Sequence, residues 1–225
     1  MPRATLRLKR PGLTEYGVAW AAMQSFTARR STETPDELWL LEHPSVFTLG
    51  MNGKPEHVLA PGDIPVLPVD RGGQATYHGP GQLVAYLMLD LRRAGIGVKR
   101  LVQLLEQSVV DWLGAHGVSA RARRDAPGVY VDGAKVAALG LRVKRDCSYH
   151  GLSLNVDLDL APFSRINPCG HPGLPITRLR DLGLDLSVRQ VGDEWLPVVA
   201  ALLGLDVRGV ERPPGEGVER WLMNG

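Results

Sequence analysis

Three segments of the chain carry the spacing of amphipathic helices, with apolar residues at every third or fourth position. These segments are residues 15–30, 98–116 and 187–204. Thr14 is predicted to cap the first segment, and Gly117 follows the second in the position typical of a C-terminal cap. Ser187 and Gln190 form a capping box at the start of the third. The pattern therefore predicts three helices.

Short apolar runs between these helices are typical of strands. They cover residues 37–42, 46–49, 65–69, 82–91, 129–131, 135–143 and 149–156. Asp132 and Gly133 lie between two of the runs, and this dipeptide favours a two-residue hairpin turn. Because hairpins are mixed with helices, we predict an α+β or mixed α/β fold rather than a regular βαβ repeat. One domain is predicted over residues 1–210, with a loosely held C-terminal tail over residues 211–225.

The composition is that of an ordinary globular protein. A length of 225 residues allows a full core, and 44% hydrophobic with 22% charged residues is a usual balance. The net charge of +2 is too small to indicate nucleic-acid binding. Apolar runs fall short of the ~18 residues of a membrane span and the N-terminus lacks a signal-peptide core, so a cytoplasmic protein with free thiols is predicted. Histidines and cysteines lack metal-ligand spacing, so we expect neither a metal nor a cofactor.

A glycine-rich segment begins at Arg71 and leads into an apolar run at Gln82. Four glycines and a proline fall within residues 71–81, interspersed with polar side chains. Glycine lets another molecule approach the main chain closely, and exposed N–H groups can hold a carbonyl or an anion. The alternative is an irregular loop that merely leads into a strand.

Lys135 is the candidate for acid–base chemistry. Only 5 of the 26 basic residues are lysines, and Lys135 lies two residues after Gly133 of the predicted hairpin turn. Two-residue alternation places it on one strand face with Ala137, Leu139, Leu141 and Val143. In one interpretation, Lys135 is the first residue of an apolar strand face and is desolvated there. The alternative is a lysine at the solvent end of its strand that extends past the turn into water.

Cys169 is the candidate nucleophile. It lies between Pro168 and Gly170 in a segment that cannot be regular secondary structure, whereas structural cysteines usually lie in apolar helices or strands. A turn can present a thiol to a pocket, but the thiol needs a nearby cation to ionise readily. Lys135 or His171 are the candidates for that cation. The alternative is a buried, inert thiol.

The other cysteine and two histidines are weaker candidates. Cys147 follows a charged stretch and is predicted to be exposed and dispensable. His78 and His150 each precede a glycine beside a predicted strand. Each either lines a pocket or is a hydrogen-bonded structural group.

Four motifs in order resemble those of the lipoyl(octanoyl) transferases, which transfer octanoyl groups from acyl carrier protein in lipoate biosynthesis. The motifs are Arg-Gly-Gly-Gln-Ala-Thr-Tyr-His-Gly-Pro-Gly-Gln at 71–82, Gly-Ala-Lys-Val-Ala-Ala-Leu-Gly at 133–140, His-Gly-Leu-Ser-Leu-Asn-Val at 150–156 and Arg-Ile-Asn-Pro-Cys-Gly at 165–170. The resemblance extends from the first predicted helix to the last. Four ordered motifs are far more specific than any one of them.

The resemblance implies a fold, a mechanism and a set of site residues. The fold is that of the biotin/lipoate protein ligase catalytic domain, a mixed sheet flanked by helices. Cys169 carries the octanoyl group as a thioester, and Lys135 is its partner, promoting thiol ionisation or acting as general acid and base. The implied substrate pocket is lined by Arg71, Gly72, Gly73, Gln74, Ala75, Thr76, Tyr77, His78, Ala138, Leu139, Gly140, Gly151, Leu152 and Ser153.

The implied donor is octanoyl-acyl carrier protein. The implied acceptors are lysines on the lipoyl domains of 2-oxoacid dehydrogenases and on the glycine cleavage H protein. Three alternatives remain open: an ATP-dependent lipoate or biotin ligase on the same fold, a non-catalytic module that binds acyl carrier or lipoyl domains, and a cysteine hydrolase.

Overall fold

The computed structural model describes residues 4–211, 213 and 217–224. The helices are α1 (Tyr16–Arg29), α2 (Leu91–Ala94), α3 (Val98–Ala115), α4 (Val188–Leu203) and α5 (Val218–Asn224). The strands are β1 (Ala4–Leu13), β2 (Asp36–Glu42), β3 (Val46–Leu49), β4 (Val66–Pro68), β5 (Ala75–His78), β6 (Gln82–Met88), β7 (Arg121–Ala122), β8 (Gly128–Val131), β9 (Ala134–Lys144), β10 (Cys147–Asn155) and β11 (Leu205–Glu211). Short 3-10 turns cover Pro55–His57, Ala161–Arg165, Pro168–Gly170 and Leu179–Leu182. Within the described ranges, none of these helices is long and apolar enough to cross a membrane.

The strands form one large mixed sheet and one small sheet. The large sheet has the order β11-β1-β2-β6-β10-β9-β8-β7, and β1 runs parallel to both of its neighbours. The pairs from β2 onward along the sheet are antiparallel. The small sheet has the order β4-β3-β5, with β3 parallel to β4 and antiparallel to β5. The predicted mixed α/β class is confirmed.

The large sheet is covered on both faces. Helices α3 and α4 pack on one face, and α1 and α5 pack on the other. Strand β6 shows how the alternation divides its side chains: Leu83 and Leu87 join the α3–α4 side, whereas Val84 and Tyr86 join the α1–α5 side. Because central strands are buried on both faces, they read in the sequence as continuous apolar runs.

The three predicted helices are confirmed, with one cap misplaced. The capping box of Ser187 and Gln190 is present at the start of α4. The prediction for Thr14 was wrong, because Glu15 is the residue at the N-cap of α1 and no side chain caps that end. The backbone N–H of Thr14 donates instead to Glu42 O, so the chain is still bound to β2 at that point.

The predicted hairpin is present, but β9 contains a bulge that moves Lys135. Tyr130 pairs with Lys135 and Val129 pairs with Ala137, which leaves Val136 without a partner. An unpaired residue of this kind interrupts the two-residue alternation. Val136 is fully buried and joins Ala137 in the core. The prediction that Lys135 shares the apolar face of Ala137 was therefore wrong.

The C-terminal helix packs on α1 through Leu222, which is 1% exposed and contacts the cluster that contains Met23 and Phe26. Residues 212, 214–216 and 225 of the predicted tail lie outside the described residues. We expect Leu222→Ala to lower the free energy of unfolding by about 2–4 kcal/mol, because it leaves a cavity beneath α5.

Urea denaturation would measure this loss of stability, with Leu13→Ala as the matched control. Leu13 is 60% exposed, so its truncation should leave the unfolding free energy nearly unchanged. Equal urea midpoints for Leu222→Ala and the unsubstituted chain would show that the packing of Leu222 does not stabilise the fold.

Candidate active site

Cys169 occupies a tight turn that packs against the glycine-rich segment. The residue has φ +55° and ψ 22°, a left-handed conformation that is uncommon outside glycine. Gly170 also has a positive φ of +74°, and a Cβ there would collide with the side-chain amide of Gln74. The turn therefore lies directly on the glycine-rich segment and leaves the Cys169 side chain partly exposed.

Lys135 and Cys169 are in contact, although 34 residues separate them. Lys135 Nζ lies 3.1 Å from Cys169 Sγ and 3.1 Å from Pro127 O. The chain beyond Cys169 returns to β9: the Lys135 N–H donates to Pro175 O at 2.8 Å, and the Thr177 N–H donates to Lys135 O at 3.0 Å. The lysine is only 3% exposed, so the desolvated alternative is confirmed and the solvent-extended one is wrong.

Cys169 opens onto a pocket with about 450 Å³ of empty space including its mouth. Among the predicted substrate-binding residues, all of which are described, only Gly72 and Tyr77 do not line it. The Gly72 N–H donates to Leu141 O, and the Tyr77 ring packs between Phe47 and Phe163. The lining residues are Tyr16, Arg71, Gly73, Gln74, Ala75, Thr76, His78, Val84, Tyr86, Ala138, Leu139, Gly140, His150, Gly151, Leu152, Ser153 and Cys169.

Arg71 holds the glycine-rich segment in place. Its guanidinium donates to the carbonyl oxygens of Thr48, Gly72 and Gln74 at 2.7–2.9 Å, and the residue is 7% exposed. Burial lowers the pKa of Arg71, and the nearby Tyr16 and Cys169 oppose that shift. A cation that donates to three backbone carbonyls fixes the loop, and Arg71 also lines the pocket.

A chain of buried hydrogen bonds links this loop to the strand that carries Lys135. His78 Nδ1 lies 2.7 Å from Gln82 Oε1, and Gln82 Nε2 donates to Asn155 Oδ1 at 3.0 Å. Asn155 Nδ2 donates to Thr177 O, and the Thr177 N–H donates to Lys135 O. Burial lowers the pKa of His78 well below its usual value, so the ring is neutral. His78 thus lines the pocket and also begins this chain of hydrogen bonds.

Two further histidines lie beside the pocket, each held by a fixed partner. His43 lies 2.6 Å from both Thr14 O and the Tyr86 hydroxyl, so Nδ1 donates to the carbonyl and Nε2 accepts from the tyrosine. His150 Nε2 lies 3.0 Å from Asp70 Oδ1. Partial burial opposes ionisation of Asp70, but hydrogen bonds from His150, Tyr149, Trp20 and Gln24 hold its pKa well below the usual value.

Among the described residues, no group of three His, Cys, Asp or Glu side chains could hold a metal ion.

The prediction that Cys147 is exposed was wrong. The residue is 8% exposed, and burial raises the pKa of its thiol. Arg145 and Asp146, which precede it, both have positive φ and turn the chain back into the sheet. Cys147 consequently starts β10 and bridges Asp90 rather than facing solvent. Both cysteines lie within the described residues and are free thiols.

Comparison with known proteins identifies the family. A model of the lipoyl protein ligase A/B catalytic domain matches residues 15–199. An octanoyltransferase from Thiobacillus denitrificans is 61% identical over 189 residues, which cover 84% of this chain and 87% of that relative. The chain belongs to the lipoyl(octanoyl) transferase family. An octanoyltransferase from Shewanella oneidensis is 54% identical over 204 residues, or 91% and 94% of the two chains. As a member of this family, the chain is an acyltransferase.

Solved structures share the fold at much lower identity. A lipoate-protein ligase A bound with ATP superposes with a TM-score of 0.77 at 15% identity, over 99% of this chain and 93% of that one. A biotin protein ligase from Aquifex aeolicus with biotin and ATP gives a TM-score of 0.56 at 14% identity, over 89% and 70%. These likenesses confirm the predicted biotin/lipoate protein ligase fold for this octanoyltransferase family member.

Sequence reasoning missed the pocket residues that lie outside the four motifs. Tyr16 reads as one more apolar residue on the face of α1, so nothing in the pattern distinguishes it from core. Tyr86 had a usable signal, because alternation along β6 places it on the same face as Val84 and opposite Leu83. Glu106 of α3 was also missed, since a lone carboxylate on a helix reads as solvated.

The buried His43 makes stability depend on pH. Burial lowers its pKa from 6.5 to about 4, although the Thr14 carbonyl opposes the shift. The unfolded chain therefore binds a proton more readily as pH falls from about 6.5 to about 4, and the free energy of unfolding should fall by about 3 kcal/mol from this group.

Urea unfolding at intermediate pH values would measure the slope, and His43→Gln should reduce it. His171→Gln is the control, because His171 is exposed. An NMR titration of the His43 ring with a midpoint near 6.5 would contradict the expectation.

Proposed function

We propose that this chain transfers an octanoyl group from octanoyl-acyl carrier protein to a lysine ε-amine of a lipoyl domain, through a thioester on Cys169. Octanoyl transfer in protein lipoylation is the activity of the family to which the chain belongs. The observation that carries the cysteine route is the 3.1 Å contact between Lys135 Nζ and Cys169 Sγ at the wall of the pocket.

In the first half-reaction, the Cys169 thiolate attacks the thioester carbonyl of the donor. A carbon–sulfur bond forms to Cys169, the bond to the phosphopantetheine sulfur breaks, and that thiol leaves. Lys135 as ammonium stabilises the thiolate before attack and supplies a proton to the leaving sulfur. Backbone N–H groups of the glycine-rich segment or of β9 near Gly140 are assigned to the oxyanion, because both line the pocket with Cys169.

In the second half-reaction, the acceptor ε-amine attacks the acyl-enzyme. An amide bond forms, the bond between the acyl carbon and Cys169 Sγ breaks, and the amine proton passes to Lys135 or to the departing thiolate. Conversion of a thioester to an amide is downhill. The proposed reaction therefore requires neither ATP nor a metal ion.

The acceptors are lipoyl-domain proteins. We assign acyl carrier protein as the donor and the lipoyl domains of 2-oxoacid dehydrogenases and the glycine cleavage H protein as acceptors. We also assign the reaction to the reducing cytoplasm, because the mechanism needs Cys169 as a free thiol. An ATP-dependent ligase is not favoured, since it has no use for a lysine-paired cysteine at the wall of the pocket.

The test is to mix the purified protein with octanoyl-acyl carrier protein, without ATP or acceptor, and to record the intact mass. We expect a gain of one octanoyl group that hydroxylamine removes and that subsequent addition of a lipoyl domain also removes. Transfer that appears only with free octanoate and ATP would contradict the proposal and establish the ligase alternative. Binding of carrier protein without any adduct would establish the non-catalytic alternative.

A further inference from the structure

A carboxylate lies on the buried side of α3, close to the proposed catalytic pair. Glu106 is 7% exposed and neighbours Leu105 in the core-facing stripe of the helix. Burial raises the pKa of Glu106, and a hydrogen bond from Gly128 and the positive charge of Lys135 oppose the shift. Placing a carboxyl group in a core costs free energy unless it is hydrogen-bonded, so its partners indicate its role.

The partner of Glu106 is the peptide unit between Pro127 and Gly128. The Gly128 N–H donates to Glu106 Oε1 at 2.8 Å. On the other side of the same peptide, Pro127 O accepts from Lys135 Nζ at 3.1 Å. This peptide is trans, so its N–H and C=O groups point in opposite directions. Anchoring the N–H on Glu106 consequently aims the carbonyl at Lys135.

The same peptide packs tightly against the lysine side chain. Gly128 has φ +144°, and a Cβ there would lie 2.7 Å from Ala137 O and 3.0 Å from Lys135 Cε. Glycine is therefore needed for the backbone to approach Lys135 this closely. Any rotation of this peptide would move Pro127 O away from Lys135 Nζ. It would also change the space that is available to the Lys135 side chain.

We propose that Glu106 is a positioning residue for Lys135, acting through the Pro127–Gly128 peptide. This inference rests on the proposed function, because Lys135 matters only as the partner of Cys169. Its elements form one path: the Glu106 carboxyl oxygen fixes the Gly128 N–H, the Pro127 carbonyl fixes Nζ, and Nζ contacts Sγ at 3.1 Å. Hydrogen bonds joined through a single peptide polarise and strengthen one another.

The role requires an acceptor oxygen at position 106 rather than a charge. Glu106→Gln keeps that oxygen, whereas Glu106→Met keeps the chain length and removes the acceptor. Asp111→Asn is the matched control, because Asp111 is an exposed carboxylate on the same helix. Thermal unfolding identifies the variants that are folded. If Glu106→Met does not fold, Glu106→Asp is measured in its place. Its side chain is one methylene shorter, so the acceptor oxygen no longer reaches the Gly128 N–H.

Two measurements separate this inference from the proposed function. Alkylation of Cys169 by iodoacetamide, followed by peptide mass, needs no acyl donor and reports the contact with Lys135. Steady-state octanoyl transfer reports catalysis. For folded Glu106→Met we expect slower alkylation and a kcat reduced by up to about 10²-fold at unchanged KM. Glu106→Gln and Asp111→Asn should retain wild-type values in both measurements.

Wild-type alkylation and kcat in folded Glu106→Met, or equal impairment in Glu106→Gln, would overturn the positioning role. An unsubstituted chain that forms no octanoyl adduct would instead contradict the proposed function. In that case the alkylation rates still decide whether Glu106 acts on Lys135 and Cys169.

Discussion

Cys169→Ala should form no octanoyl adduct and should lose transfer to a lipoyl domain by at least about 10⁴-fold, because the acyl group then has no covalent carrier. Cys169→Ser should be nearly as inactive, since the contact with Lys135 that ionises a thiol is insufficient for an alcohol. Intact mass reports the first step, and transfer of a radiolabelled octanoyl group from acyl carrier protein to the lipoyl domain reports the second.

The control for this experiment is the other cysteine. Cys147 is buried at the start of β10 and does not line the pocket that contains Cys169. Cys147→Ala should therefore form the adduct and transfer it normally. An adduct that survives in Cys169→Ala and disappears in Cys147→Ala would show that Cys147, and not Cys169, is the nucleophile.

Lys135→Met should retain binding of the carrier protein but reduce the rate of acyl-enzyme formation by about 10²–10⁴-fold, the range of a lost general acid–base group. Methionine keeps the unbranched chain within the buried space and removes the ammonium. Lys135→Arg should be little better, because a planar guanidinium does not fit between Pro127 O and Cys169 Sγ. Stopped-flow mixing with octanoyl-acyl carrier protein would measure the rate of the first half-reaction.

Lys144→Met is the matched control, since Lys144 is exposed at the other end of the same strand. It should acylate at the normal rate. If Lys135→Met also acylated normally, the 3.1 Å contact between Nζ and Sγ would have no catalytic meaning and the mechanism would need another base.

Local patterns in the sequence predicted the helices and many of the strands well. The stripe of α3, including Leu101, Leu105 and Val109, is buried throughout, and the capping box of α4 forms as expected. These features depend on neighbours within a few positions, so a single sequence contains them. The ordered motifs predicted most of the pocket residues for a different reason, because they carry the family resemblance.

Other features depend on partners that are distant along the chain. Strand β1 alternates apolar Leu6 and Leu8 with charged residues, yet Lys9 is buried against Glu37 at 3.2 Å. No local rule predicts a buried ion pair between two strands. Cys147 was misplaced for the same reason, since its burial depends on a turn at Arg145 and Asp146 and on the bridge to Asp90.

Because of the bulge at Val136, the side chains of β9 that face the pocket depend on the exact number of residues in the strand. Side chains on a strand alternate, so whether a residue faces the core or the pocket depends on an odd or even count along the chain. The extra residue changes that count once, between Lys135 and Ala137. A substitution in β9 therefore changes one position, whereas a single insertion or deletion would exchange core and pocket positions together. Variation in length should be far rarer here than variation in sequence.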